Sequence, residues 1–103
     1  MAQDPHIYGD VKSSTGLKTI FRDIRKDVST AKSRPALSEL YKRAGYLITL
    51  THAPAWHKKF GSKTTAMRQV AKDEFGTTAR KINSRAKTIG AKADYDEKWG
   101  AGR

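Results

Sequence analysis

The chain has 103 residues, and its 21 Lys and Arg against 10 Asp and Glu give a formal net charge of +11 at pH 7. This length predicts a single domain over residues 1–103 with one modest core, and the lack of cysteine excludes a disulfide framework or a thiolate metal site. The N-terminus lacks the apolar stretch of a secretory signal, and the longest nearly apolar run, residues 44–50, is too short to span a bilayer, so a soluble, cytoplasmic protein without a membrane partner is expected.

Residues 1–12 show no apolar periodicity and are predicted to form an N-terminal arm. Hydroxyl side chains at positions 13–15 can cap the start of a first helix. The apolar residues that follow repeat at helical spacing and are expected to face the core: Leu17, Ile20, Phe21, Ile24 and Val28. The helix at 16–31 could also supply a homodimer interface.

Pro35 separates the first helix from a second one, because the residue before a proline disfavours helical geometry and proline suits a first helical turn. The second helix is the most apolar and is expected to end before Pro54. Its inward residues are Leu37, Leu40, Tyr41, Ala44, Leu47, Ile48 and Thr51. A short segment follows, with one helical turn predicted at 55–60 and an end at Gly61. The β-prone stretch 46–51 is where a strand could replace the helix.

Two more helices are predicted, one on each side of Gly76, because a glycine there can stop a helix in the left-handed conformation. The candidate caps are Ser62, Thr64 or Thr65 for the third helix and Thr77 or Thr78 for the fourth. The inward residues are Met67, Val70, Ala71 and Phe75 in the third helix, and Ala79, Ile82, Ala86 and Ile89 in the fourth. Gly90 closes the fourth helix, and the tail 91–103 is expected to dock through Tyr95 and Trp99 or to fray. The predicted fold class is all-α, with about four helices in a small bundle.

The positive charge is concentrated late in the chain. Residues 58–92 hold ten basic and two acidic residues, whereas residues 1–57 hold nine basic and five acidic ones. Residues 93–103 hold two basic and three acidic residues. A concentrated positive field attracts polyanions, so nucleic acid is the expected partner, DNA more than RNA.

The outward side chains of the predicted helix at 77–89 suit such a partner. Arginine can bond guanine, and Ser, Thr and Lys side chains reach phosphate oxygens. The expected contacts on this helix are Thr77, Thr78, Arg80, Lys81, Ser84, Arg85 and Lys87. Four further cations are expected to steer the nucleic-acid backbone: Lys58, Lys59, Lys63 and Arg68.

The stretch Val70-Ala71-Lys72-Asp73-Glu74-Phe75-Gly76-Thr77-Thr78-Ala79-Arg80-Lys81-Ile82 resembles a helix-turn-helix motif. The resemblance covers residues 66–90 and concerns the motif alone. It implies a turn at Phe75-Gly76 and a recognition helix at 77–89 that reads DNA.

Three other groups of residues are open to more than one interpretation. His52 and His57 could bind zinc or act as a base, but they lack the further ligands that a zinc site requires, and turn residues are the simpler interpretation. Aromatic residues next to lysines could stack on unpaired bases or pack at the core: Tyr46, Trp56 and Phe60. The acidic group could hold Mg²⁺ or contact the protein's own basic helices: Asp94, Asp96 and Glu97.

No sequence pattern indicates a catalytic site, a metal or a cofactor, so a non-enzymatic protein is expected. The alternative to DNA binding is a protein-interaction or assembly subunit, such as a small helical component of a ribonucleoprotein. In that case the basic surface would face RNA or an acidic partner.

Overall fold

The computed structural model describes residues 13–92 and 94–98. The predicted N-terminal arm and the predicted docking of Trp99 lie outside these residues. The helices are α1 (Ser14–Thr30), α2 (Arg34–His52), α3 (Pro54–Phe60) and α4 (Thr64–Thr88), with a 3-10 turn at Gly61–Lys63. The all-α prediction is confirmed over the described ranges, which contain no strand. The β-prone stretch 46–51 is helical.

A serine caps each of the first two helices, Ser13 within the predicted range 13–15 and Ser33 at a position where no cap was predicted. The Ser13 side chain accepts a hydrogen bond from the Gly16 amide at 3.2 Å, and Ser33 accepts one from the Ala36 amide at 3.3 Å. These bonds satisfy amides that have no partner within their own helix. Pro35 lies in the first turn of α2, as expected.

The predicted break at Gly76 is wrong, because residues on both sides of it belong to the single helix α4. Phe75 and Ala79 lie one helical turn apart and are both buried, so the apolar stripes predicted for two helices are one continuous stripe. A glycine inside a helix costs about 1 kcal/mol relative to alanine, which is less than the gain from burying a large side chain such as Phe75. The bundle therefore has three long helices and the short α3 instead of four main helices.

Gly76 lies under the C-terminal segment. It is buried, and a Cβ atom built on it would lie 3.3 Å from the Glu97 carbonyl oxygen. The C-terminal segment thus crosses α4 at Gly76. The left-handed glycines are Gly61, with φ of 55°, and Gly90, with φ of 73°, where the sequence predicts the ends of α3 and α4.

The capping residues predicted around α4 are also wrong. The helix has Lys63 at its N-cap position with no side-chain hydrogen bond, because the 3-10 turn runs directly into it. Thr77 lies inside the helix and donates to the Asp73 carbonyl at 3.2 Å, and Thr78 is fully buried. Neither threonine begins a helix.

Helices α1 and α4 run in the same direction, and α2 runs against both. Ser14 and Ala66 line one pocket near the starts of α1 and α4, and Arg85 reaches Ala31 near their ends. Arg68, early in α4, bonds a carbonyl in the last turn of α2. The core between the helices is built by the predicted stripes, and its largest fully buried side chains include Leu17, Phe21, Ile24, Leu37, Leu47, Met67, Phe75 and Ile82.

The apolar stripe of α1 is buried in the core of its own chain. Phe21 and Val28 have no exposed surface, and they pack in the same core as Leu47 and Ile82. A homodimer through the helix at 16–31 would have to use its polar faces, and it stays a prediction. Within the described ranges, no helix combines the length and apolar character needed to cross a membrane.

Candidate nucleic-acid interface

The residues predicted to bind nucleic acid on α4 divide into exposed and buried ones. Those with exposed side chains are Thr77, Arg80, Lys81, Ser84 and Lys87. Thr78 has no exposed surface, and its hydroxyl oxygen accepts a hydrogen bond from Arg25 of α1 at 3.2 Å. Thr78 is therefore unable to contact a ligand. The same Arg25 guanidinium forms an ion pair with Glu74 at 2.9 Å, which ties α1 to α4.

Two of the predicted arginines bind the ends of neighbouring helices. Arg85 donates from Nε to the Ala31 carbonyl at 2.9 Å, just after α1, and Arg68 donates from Nε to the Thr51 carbonyl at 2.7 Å, at the end of α2. The last carbonyls of a helix lack partners in the helix and carry partial negative charge. Both guanidiniums are half-buried, so their main role is to hold α4 against the other two helices.

We expect Arg68→Ala and Arg85→Ala each to lower the free energy of unfolding by about 1.5–3 kcal/mol, because each removes a charged donor from a helix-end carbonyl. Lys81→Ala, at an exposed position on the same helix, should change it by less than about 0.5 kcal/mol. Urea denaturation of the three variants checks this. Equal stability of all three would show that the two arginines are not structural.

The exposed surface of α4 has two flanks, and the C-terminal segment covers one of them. Asn83 hydrogen-bonds the backbone of Tyr95, and Arg80 pairs with Glu97 at 3.5 Å. The expectation that the acidic tail contacts the protein's own basic helix is confirmed for Glu97. Arg80 is thus partly neutralised, although its side chain remains 59% exposed.

The other flank of α4 faces α1 and carries Lys81. Glu74, Thr78 and Arg85 mark this flank, since each of them contacts α1 or the residue after it. Lys81 lies three residues after Thr78 and four before Arg85, so the helical repeat places it on the same edge. Its side chain is exposed.

Helix α1 adds its own cations beside this flank. Arg25 points at α4, and the helical repeat places Lys18 two turns below it on nearly the same line. Arg22 lies between that line and the outermost line of α1, and Lys26 lies on the outermost line itself. Lys18, Arg22 and Lys26 are all exposed. We call this surface the α1–α4 face, and define it by Lys18, Arg22 and Lys26 of α1 with Thr77, Lys81 and Ser84 of α4.

The acidic residues of α1 lie on its opposite flank. Asp27 pairs with Arg43 of α2 at 3.6 Å, which identifies this flank as the one beside α2. Asp23 is one turn earlier on the same side.

Glu74 of α4 lies between the two helices, where its carboxylate is paired with Arg25. Asp73 of α4, one turn before Thr77, is exposed at the edge of the face and accepts a hydrogen bond from Gln69. The face therefore carries four exposed Lys and Arg side chains against this one carboxylate.

Sequence reasoning missed the contribution of α1 to this face. A helical projection of 14–30 already places Lys18, Arg22 and Lys26 apart from Asp23 and Asp27. The projection does not say which neighbour the basic flank faces. That information comes from the contacts of Arg25, and no local pattern predicts them.

The lysines predicted to steer the backbone lie at one end of the bundle. Lys58 and Lys59 belong to α3 and Lys63 to the 3-10 turn, and all three are exposed. Lys59 also lies over the Phe60 ring, with Nζ 5.4 Å from its centroid. Lys63 lies beside the start of α1, since it lines a pocket with Ser13 and Thr15.

The aromatic residues near these lysines pack inside the protein. Trp56 is buried and lies against Phe60, with ring centroids 4.7 Å apart. Among the described residues, the large hydrophobic side chain that is exposed is Tyr46, at 41%, and it lies on α2. Trp56 therefore offers no open ring on which an unpaired base could stack.

The two histidines of the α2–α3 region are exposed. A pocket of about 320 Å³ is lined by Lys63, Met67 and residues 13–15, and neither His52 nor His57 contributes to it. Over residues 13–92 and 94–98, no three His, Cys, Asp or Glu side chains are grouped so that they could hold a metal ion.

No protein-family model, curated protein or solved structure matches this chain.

Proposed function

We propose that the protein binds nucleic acid, DNA in preference to RNA, through the α1–α4 face. The observation that carries this proposal is the alignment of exposed cations from two parallel helices, while the aspartates of α1 lie on the far flank. This replaces the recognition by one helix at 77–89 that the sequence suggested. The helix-turn-helix mode of docking has no support, because α4 has no turn at Gly76.

The chemistry of the face favours the phosphate backbone of a duplex over unpaired bases. Its exposed side chains are lysines, an arginine and hydroxyls, which bond phosphate oxygens. Binding to single strands usually relies on aromatic rings that stack on bases, and the residues that define the face include none. We therefore propose binding that tolerates many sequences.

We expect affinity for duplex DNA to fall steeply as salt rises, because phosphate neutralisation releases counterions with a slope near −0.9 for each contact. With about six contacts, affinity should drop on the order of 10³-fold between 50 and 200 mM salt. Fluorescence anisotropy with one duplex, its single strand and a matched RNA duplex provides the measurement. Duplex DNA should bind more tightly than either alternative.

Two results would redirect this proposal. Stronger binding of RNA would favour the alternative of a small ribonucleoprotein subunit, in which the same cations contact an A-form helix. Affinity that does not depend on salt, for any of the three probes, would show that the α1–α4 face is only a solvated surface.

A further inference from the structure

The C-terminal residues 94–98, which we call the strap, lie in the groove between α2 and α4. A single side chain of α4 binds both polar groups of one strap residue. Asn83 donates from Nδ2 to the Tyr95 carbonyl at 2.9 Å and accepts the Tyr95 amide at Oδ1 at 2.8 Å. This pair of bonds fixes Tyr95 at a definite position on α4.

The ring of Tyr95 fixes the strap to α2. It stacks on the Tyr41 ring with centroids 4.5 Å apart, and its hydroxyl is hydrogen-bonded to that of Ser38. The Tyr41 hydroxyl donates to the Asp96 carbonyl at 3.0 Å. The strap is therefore held by its backbone and by one aromatic ring, which leaves its carboxylates for other contacts.

The acidic residues of the strap lie beside the basic surface of α4. Glu97 pairs with Arg80, and its carbonyl passes over Gly76, where the missing side chain leaves room. Asp94 and Asp96 are exposed. Three carboxylates in this short segment are opposed by one lysine, Lys98, so a docked strap brings net negative charge to the flank of α4 next to the α1–α4 face.

We propose that the strap competes with nucleic acid for α4, so that strap docking and nucleic-acid binding weaken each other. This inference rests on the proposed function. Phosphates that approach Arg80 meet the carboxylates of the docked strap, whereas an undocked strap leaves Arg80 available for one further phosphate. Because the coupling is mutual, nucleic acid must also favour the undocked strap.

The contacts of the strap suit reversible docking. The Arg80–Glu97 pair is exposed on both sides, and such pairs contribute little stability. The remaining attachment consists of one half-buried ring and a few hydrogen bonds. The α4 core beneath does not depend on it, since Phe75 and Ile82 are buried among residues of α1 and α2 as well.

The test uses two variants that undock the strap without changing its charge, Tyr95→Ala and Asn83→Ala. Each should bind duplex DNA on the order of fivefold more tightly near 0.1 M salt, with a salt slope steeper by about 0.9, as expected for one added phosphate contact. Tyr46→Ala makes the same change at the exposed tyrosine of α2 and should bind like the wild type.

A second measurement follows the strap in the wild-type protein. The Tyr95 amide donates to Asn83, so its hydrogen exchange reports docking, and saturation with duplex DNA should accelerate that exchange. If the wild type binds DNA but neither variant binds more tightly and the exchange does not change, the strap inference is overturned and the proposed function stands. If neither the wild type nor the variants bind at any salt, both are overturned.

Discussion

We expect the double variant Arg22→Glu, Lys81→Glu to bind duplex DNA at least on the order of 100-fold more weakly than the wild type near 0.1 M salt. Each substitution removes one phosphate contact from the α1–α4 face, and each contact is worth almost tenfold in affinity at that salt. The introduced carboxylates add repulsion. The salt slope should become shallower by about 1.8, which anisotropy titrations at several salt concentrations measure.

The fold should survive this double variant. The glutamate introduced at position 22 would lie four residues before Lys26, and the one introduced at position 81 four residues before Arg85, an arrangement that stabilises helices. The matched control is Arg34→Glu, Lys42→Glu, which changes the net charge equally at two exposed positions of α2. If the control loses as much affinity as the test variant, binding depends on total charge and the α1–α4 face is not the interface.

Local sequence signals were sufficient to predict α1 and α2. Ser13 and Ser33 cap their helices where hydroxyls precede an apolar repeat, and Pro35 occupies the first turn that suits it. Both helices also end close to the predicted positions. In these segments helix propensity, capping and apolar periodicity all favour the same helix, and the tertiary contacts are consistent with it.

Gly76 is where local reasoning failed, because two rules conflicted there. Glycine after an aromatic residue is typical of a helix end, but the interval from Phe75 to Ala79 keeps the apolar stripe in phase. The structure follows the stripe. The Glu97 carbonyl also approaches this position closely, a contact from a distant segment that no local window contains.

The sequence was sufficient to predict an exposed basic surface, but it predicted only some of the residues that form this surface. Lys81 is exposed as expected, whereas Thr78 is buried and Arg85 holds the end of α1. An arginine looks the same in sequence whether it points to solvent or to a helix-end carbonyl. The packing of three helices decides between these roles, and it also brings Arg22 of α1 alongside α4.

The continuous α4 predicts opposite results for two substitutions of Gly76. Gly76→Pro should lower the free energy of unfolding by about 3 kcal/mol or more, because proline inside a helix removes a backbone hydrogen bond and clashes with the carbonyl one turn earlier. Gly76→Ala should raise it by up to about 1 kcal/mol, since the Glu97 carbonyl needs to move only by a few tenths of an ångström to admit a methyl group. Urea denaturation measures both changes.

A turn at Gly76 would reverse the result for alanine. In a left-handed turn an added Cβ atom is strained, so that Gly76→Ala would destabilise the protein by roughly 1–2 kcal/mol. The alanine variant therefore separates one long helix from a helix-turn-helix pair without any reference to DNA. Destabilisation by alanine in the Tyr95→Ala background, where the undocked strap no longer places the Glu97 carbonyl over position 76, would contradict the unbroken α4, and with it the parallel alignment of Lys81 beside α1 on which the proposed interface depends.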